Sequence, residues 1–343
     1  MSEKPFPSPA ILKKKLPCSA EQTQMIAQWR QELRSILQGQ SEKILLIVGP
    51  CSIHDTESAL HYAEKLKELA DTVGESFFIV MRAYLEKART GNGWRGLLWD
   101  PELNGSGDCS KGIFLARQFL LKLVELGVPS GMEFVDPLAS HFLSDLITWG
   151  CVGARSVQSP LHRYMTSGLP MPVGFKNRTD GNIEIAIQAA AVAKKPHTLL
   201  DINADGRLCL RHSSGNMFPH IVLRGSEKGE NFSAASLQAT RSMLDLFEMP
   251  PYLIVDTSHG NSGKDFRRQP HIFSALVEDI RKGTSPVRGI MMESFLEEGS
   301  IASQPISKTL RAHISITDPC LDFAQTAACI KKGHYSLAPP VHI

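Results

Sequence analysis

The chain lacks any marked excess of charge of one sign. Its 343 residues include 37 Lys and Arg against 35 Asp and Glu, a net charge of +2 with His neutral. Nucleic acid and anionic membrane surfaces are bound through a basic excess, so neither is expected as a general partner. A membrane span is also missing: no apolar run approaches the roughly 20 residues that one needs. Met1 to Lys15 are polar and Pro-rich, without the apolar centre of a secretory signal. The 7 cysteines, at 18, 51, 109, 151, 209, 320 and 329, are odd in number and contain no Cys-x-x-Cys pair. That pattern excludes a disulfide framework and points to a reducing compartment. A soluble, cytoplasmic protein is therefore expected. No strand-like run leads into Gly-x-Gly-x-x-Gly, and there is no long repeat or low-complexity segment.

What is present is a globular composition, 42% hydrophobic and 21% charged, and a recurring grammar. Ile44-Leu45-Leu46-Ile47-Val48 stops at Gly49-Pro50-Cys51-Ser52-Ile53-His54-Asp55. An apolar run ended by Gly-Pro reads as a buried strand running into a sharp turn. Further apolar runs lead into Arg82, Lys176, Arg224, His259 and Glu293. Strands are predicted at 44–48, 77–81, 131–135, 151–154, 172–175, 219–223, 252–256 and 288–292. Helices are predicted at 21–38, 57–72, 111–126, 138–148, 181–194, 233–247, 270–282 and 319–332. Such alternation predicts an α/β fold, a (β/α)8 TIM barrel, with a doubly wound open sheet as the runner-up. An N-terminal extension precedes the barrel, and residues 197–217 read as an inserted β-hairpin around Ala204-Asp205-Gly206. The expected division is an arm and helix over 1–40, a catalytic barrel over 41–333 and a tail over 334–343. Within the arm, Pro5, Pro7, Pro9 and Pro17 are expected to break regular structure.

In a parallel barrel the C-terminal strand ends carry the site. Arg82, Lys87, Arg155, Lys176 and Arg224 all follow predicted strands. Aiming five cations at one face suits a multiply charged anion, because Arg forks onto phosphate or carboxylate and Lys adds a compact charge. Gly153 and Ala154, just before Arg155, would let backbone N–H groups approach a phosphate. Cys51, His259, Glu293 and Asp318 form a second set. Thiolate, imidazole and carboxylates together suit a divalent first-row ion. His54 is an equal candidate for the imidazole, or a brace for its turn.

These segments, in order, resemble a known family. Gly49-Pro50-Cys51-Ser52-Ile53-His54-Asp55, Met81-Arg82 with Glu86-Lys87, Gly150 through Arg155, and Gly174-Phe175-Lys176-Asn177 come first. His220 through Gly225, Ser258-His259-Gly260-Asn261, Glu293-Ser294 and Ser315-Ile316-Thr317-Asp318 follow. Together they resemble the type I 3-deoxy-D-arabino-heptulosonate-7-phosphate (DAHP) synthases of the microbial, aldolase-like class, from about residue 9 to about residue 330. The resemblance implies a (β/α)8 barrel that condenses phosphoenolpyruvate with D-erythrose 4-phosphate and water, giving DAHP and phosphate. That step opens the shikimate pathway to chorismate and the aromatic amino acids. It further implies a divalent metal (Mn, Fe, Co or Zn) on Cys51, His259, Glu293 and Asp318. Phosphoenolpyruvate contacts would come from Arg82, Arg155, Lys176 and Arg224. Lys87 would lie between the substrates, Arg89 and Thr90 would meet the aldose phosphate, and Glu133 would sit near the reacting enol. Lys87, Cys51, His259 and Asp318 are thereby the expected catalytic group, with Lys87 or a metal-bound water protonating the nascent alkoxide. Family members are usually dimers or tetramers, so a homodimer or homotetramer is expected.

The chain departs from the family pattern at Ala88, where the pattern has Pro, at Arg178, where it has Gly, and at Gly263, where it has Ser. Ala88 frees a φ angle that proline would fix. Two alternatives therefore stand beside the main reading: a synthase with another aldose phosphate, and an inactive regulatory paralogue. Many family members are inhibited by Phe, Tyr or Trp through a pocket that includes a serine after Ser-Gly-Leu. Here that position is Pro170, with neither hydroxyl nor backbone N–H to donate. The acidic N-terminal segment of the pattern has no counterpart before Met1-Ser2-Glu3-Lys4-Pro5. Insensitivity to aromatic amino acids is expected.

Overall fold

Eight apolar segments become the staves of a closed parallel barrel in a computed structural model that describes residues 5–301 and 312–337. They are β1 (Ile44–Gly49), β2 (Phe77–Arg82), β3 (Ser130–Glu133), β4 (Trp149–Val152), β5 (Val173–Lys176), β8 (Pro219–Leu223), β9 (Leu253–Asp256) and β10 (Val287–Glu293). The expected barrel is borne out, with neighbours in the order β1-β10-β9-β8-β5-β4-β3-β2. Between β5 and β8 lies the expected hairpin, β6 (His197–Ile202) antiparallel to β7 (Leu208–Ser213), with Leu200 opposite Leu210. Described residues contain no helix long and apolar enough to cross a membrane.

Two buried layers hold the barrel. The outer one fills the space between strands and helices: α3 (Thr56–Val73), α4 (Cys109–Glu125), α7 (Glu184–Ala193), α8 (Ala234–Leu246), α9 (Gln269–Arg281) and α10 (Phe323–Leu337). The inner layer comprises Leu45, Ile47, Val80, Trp149, Cys151, Val222, Ile254 and Met291. Leu33, Ile36 and Leu37 of α2 (Ala20–Leu37) join it, so this helix closes the N-terminal end of the barrel. A capping box between Ser19 and Gln22 starts α2. Lower in the barrel Trp149 Nε1 donates to His220 Nε2 at 3.0 Å, and His220 Nδ1 faces the Phe218 carbonyl at 3.0 Å. Burial pushes His220 down to about 4, so it sits there neutral.

Five segments differ from expectation. The Pro-rich arm contains a helix, α1 (Pro9–Lys15), and another, α6 (Pro160–Ser167), follows β4. Each has a Ser-Pro start, with Ser8 or Ser159 at the cap and proline at the first helical position. There proline's missing N–H costs nothing and its fixed φ suits the helix. The segment predicted as a helix over 138–148 is only α5 (Ala139–Leu143) plus one 3-10 turn. The last helix begins at Phe323 because the residues before it are tied down. Cys320 bridges Gly299, and Leu321 bridges Ser294. Residues 334–337 of the expected tail continue α10, whereas 338–343 lie outside the described residues.

Candidate active site

The C-terminal strand ends surround a cavity of about 360 Å³. Lys87, Arg155, Lys176 and Arg224 line it together with Glu133, Ala154, His259, Glu293 and Asp318. Cations and metal-type donors thus meet in one space, at the end of the barrel where this fold carries its chemistry.

The donor atoms of Cys51, Glu293 and Asp318 lie within 4.8 Å of one another. Parallel pairing sets Glu293, the last residue of β10, opposite Gly49 at the exit of β1. Cys51 Sγ is 3.4 Å from Asp318 Oδ2. His259, in the loop after β9, lies outside that group of three, with its Nε2 3.7 Å from Glu293 Oε1. Its other nitrogen, Nδ1, lies 3.0 Å from Asp256 Oδ2 and 2.8 Å from Ser258 Oγ. A carboxylate on one ring nitrogen that leaves the other aimed at the donor group is how metal-binding histidines are commonly oriented. His259 holds a positive φ of 56°, which a non-glycine residue adopts only when its surroundings compel it. Here the Gly260 N–H donates to the Arg224 carbonyl at 3.0 Å, and Asn261 Nδ2 donates to the Asp256 carbonyl at 2.8 Å. His54 lies elsewhere, buried edge-on to the Phe295 ring.

Electrostatics suit a cation at these donors. Burial, reinforced by Glu293, pushes the Cys51 thiol up to about 12, so the site without a cation favours the neutral thiol. Lys87 Nζ lies 2.7 Å from Cys51 Sγ and 3.3 Å from Asp318 Oδ2. Burial alone would lower the Lys87 ammonium, but the Cys51 sulfur beside it and the Asp318 and Glu293 carboxylates hold it well above the usual lysine range. Lys87 in turn keeps the Asp318 carboxyl well below the usual carboxylate range.

The remaining predicted residues divide by depth. Lys176 is buried and donates to Asp256 Oδ2 at 2.9 Å. Burial would raise Asp256, yet Lys176 and His259 hold it far below the ordinary range. Arg82 does not line the cavity. It lies beneath the floor, donating to Glu293 Oε1 at 3.1 Å and stacked 4.0 Å over the Tyr84 ring. Gly153 faces Glu133: a Cβ there would fall on Glu133 Oε1, so the glycine makes room for that carboxylate. Of the pair before Arg155, Ala154 alone lines the cavity. Arg155 is exposed, and its Nε donates to Thr90 Oγ1 at 3.1 Å. Arg89 is turned into its own segment, donating to the Trp94 carbonyl at 2.9 Å. Neither Arg89 nor Thr90 lines the cavity.

Reasoning from sequence missed Asp256, Ser258 and Asn177 as parts of this arrangement. Asp256 joins the cation set to the donor set through Lys176 and His259. Asn177 Oδ1 accepts from the Arg224 N–H at 2.8 Å and so ties the ends of β5 and β8 together. An acid closing an otherwise apolar strand, as in Leu253-Ile254-Val255-Asp256, was the available signal for the first.

Known proteins share the sequence and fold of this chain. Residues 16–330 match the DAHP synthetase I family. The Tyr-sensitive phospho-2-dehydro-3-deoxyheptonate aldolase of Escherichia coli K12 is 41% identical over 330 residues, 96% of this chain and 92% of that protein. The Trp-sensitive enzyme of the same organism is 42% identical over 328 residues, 95% of this chain and 93% of its own length. The solved structure of the phospho-2-dehydro-3-deoxyheptonate aldolase from Francisella tularensis SCHU S4 superposes with a TM-score of 0.94 at 34% identity, covering 98% of both chains. With its barrel, its donor group and its cation-lined cavity, the chain belongs to the DAHP synthetase I family, the enzymes of the first step of aromatic biosynthesis.

Proposed function

We propose that the chain condenses phosphoenolpyruvate with D-erythrose 4-phosphate and water, releasing DAHP and phosphate, and that it needs a divalent metal to do so. The observation that carries this reading is the convergence of Lys87, Arg155, Lys176 and Arg224 on the cavity that also holds Glu293, His259 and Asp318. Phosphoenolpyruvate carries both phosphate and carboxylate, and this cation group matches both. Cys51, His259, Glu293 and Asp318 would hold the metal, whose contribution when bound is Lewis acidity toward the aldehyde oxygen.

The chain's own residues do the rest. Arg155 and Arg224 bind the anion, while Lys176, fixed by Asp256, orients it. C3 of phosphoenolpyruvate forms the new bond to the aldehyde carbon, water adds at C2, and the C2–O bond to phosphate breaks. Lys87, charged between the substrates, gives a proton to the new alkoxide and recovers one from the water that adds at C2; the remaining hydroxyl proton leaves with the phosphate as the C2 carbonyl forms. Phosphate release after chelation, measured with phosphoenolpyruvate alone, with both substrates, and with both plus Mn²⁺, tests the reading. Release only in the last case is expected; release without the aldose phosphate would contradict it.

We also infer that Phe, Tyr and Trp do not inhibit. A second cavity, of about 100 Å³, lies among α5, α6 and the hairpin and includes Leu169 and Arg211. Its acid, Asp201, is already held by Arg211 at 2.6 Å and by His141 at 2.6 Å. An amino-acid effector would need both charged partners free. Pro170 supports the same inference, since it offers only its carbonyl, which accepts from Arg34 at 3.1 Å. The exposed Leu200, Leu208 and Leu210 of the hairpin support the expected self-association, which sedimentation would test.

A further inference from the structure

Glu86 precedes Lys87 but neither lines the cavity nor belongs to the donor group, and the chemistry above makes no use of it. Its residue is only 1% exposed. After β2 the chain makes an excursion and returns: the Lys87 N–H donates to the Arg95 carbonyl at 2.9 Å, and the Leu98 N–H to the Leu85 carbonyl at 3.2 Å. Glu86 lies in this neck. Gly96, at φ +107°, presses so close that a Cβ would meet the Glu86 Cα at 2.6 Å.

Every partner of the Glu86 carboxylate is a donor. Oε1 accepts from Trp99 Nε1 at 3.1 Å and from the Asp136 N–H at 3.3 Å; Oε2 accepts from the Val135 N–H at 3.2 Å and the Asp136 N–H at 3.3 Å. Val135 and Asp136 directly follow the end of β3, which carries Glu133. Arg95 lies 3.8 Å over the Trp99 ring, extending the same junction outward. The excursion carries Lys87, Arg89 and Thr90, and its outer end is tied to Arg155 through Thr90.

We propose that Glu86 is a positioning residue that clamps residues 87–98 against the end of β3 and thereby sets the aldose-phosphate side of the cavity. This rests on the functional reading above, in which Arg89 and Thr90 meet that phosphate. A carboxylate is required because an amide or a protonated acid would turn a donor toward N–H groups. Burial pushes Glu86 up to about 7 against the pull of Trp99 and the backbone donors. The titratable and charged groups about it are Asp136 after β3, Cys109 at the start of α4, and Lys87 and Arg95 on its own excursion. As pH falls through about 7, the clamp therefore loosens.

The test uses the Mn²⁺-loaded full chain, with Glu86→Gln, Glu86→Asp and Trp99→Phe. Trypsin cleavage after the exposed Arg89 and Arg95 reads the clamp independently of turnover. Losing hydrogen bonds to a charged group should speed cleavage roughly tenfold in Glu86→Gln and raise the KM for erythrose 4-phosphate by a similar factor. The KM for phosphoenolpyruvate should stay within about twofold. Trp99→Phe should act in the same direction but less, and Glu86→Asp should recover part of the loss. The ratio of Glu86→Gln to wild-type cleavage should shrink from about pH 8 to about pH 6, because the wild-type clamp itself loosens. Unchanged cleavage in both Glu86→Gln and Trp99→Phe, or equal rises in both KM values, would overturn the proposal. A wild-type protein that releases no phosphate from the two substrates would instead sink the functional reading, and cleavage would still decide the clamp.

Discussion

The two ends of this barrel are built on opposite principles. At the N-terminal end, Leu33, Ile36 and Leu37 of α2 meet Leu45, Ile47 and Trp149, and the buried His220 is kept neutral. At the C-terminal end, Arg82, Lys176, Asp256 and Glu293 are buried too, yet they are arranged as ions. Burying charge is costly unless it is paired. Each of these four has an opposite charge within 3.1 Å. One end therefore stabilises the barrel by excluding water. The other spends stability to hold paired charges at and beneath the cavity.

The sharpest break between the ends should come from removing the donors. Chelation, or Cys51→Ala, should abolish phosphate release while far-UV circular dichroism stays native; Mn²⁺ should restore the chelated wild type but not the variant. The next largest effect is expected in the anion group. Arg155→Ala and Arg224→Ala each lose a charge-assisted contact worth about 1.5–3 kcal/mol, so steady-state kinetics should show a KM for phosphoenolpyruvate raised roughly ten- to a hundredfold. Lys87→Ala should lower kcat more than it changes that KM.

At the opposite end the order of effects reverses. Ile36→Ala removes a fully buried side chain, and denaturant unfolding should show a loss of about 2–5 kcal/mol with little change in activity per folded molecule. His220 gives a smaller, pH-dependent effect. Its folded value is depressed to about 4, so the unfolded chain binds the proton more readily. Its contribution to stability is intact above about pH 6.5 and falls away as pH drops toward about 4, by up to about 3 kcal/mol. His220→Gln should flatten that part of the wild-type stability profile. Smallest of all should be the response to millimolar Phe, Tyr or Trp, added separately at phosphoenolpyruvate near its KM. No inhibition is expected, and strong inhibition by any one would remove the argument from Pro170 and Asp201.

The two ends were also unequally legible from sequence. Strand β1 could be read because its five apolar residues end at Gly-Pro, and five other staves could be read because apolar runs lead into Arg82, Lys176, Arg224, His259 and Glu293. The grouped donors Cys51, Glu293 and Asp318 could be named because they follow strands or lie in a motif. Depth could not be read: a strand's last residue can face the cavity, as Lys176 does, or lie beneath it, as Arg82 does, and the closure of the barrel decides which. The links through Asp256 and Glu86 were hidden for a similar reason. Asp256 meets Lys176 on β5 and Glu86 meets Val135 and Asp136 after β3, partners far away in sequence that no local pattern names. The helix α1 was missed because proline was read as a breaker in a place where it starts a helix, and α6 has the same Ser-Pro start.

In the proposed function, Cys51, His259, Glu293 and Asp318 jointly hold one divalent cation beside the anion-binding group. Titrating the chelated protein with Co²⁺ tests it most directly, because thiolate bound to cobalt gives a near-ultraviolet charge-transfer band. One equivalent should develop that band in wild type, with phosphate release rising in parallel. Cys51→Ser should lack the band and the activity. Full phosphate release by the metal-free wild type, or an unchanged band in Cys51→Ser, would contradict the claim.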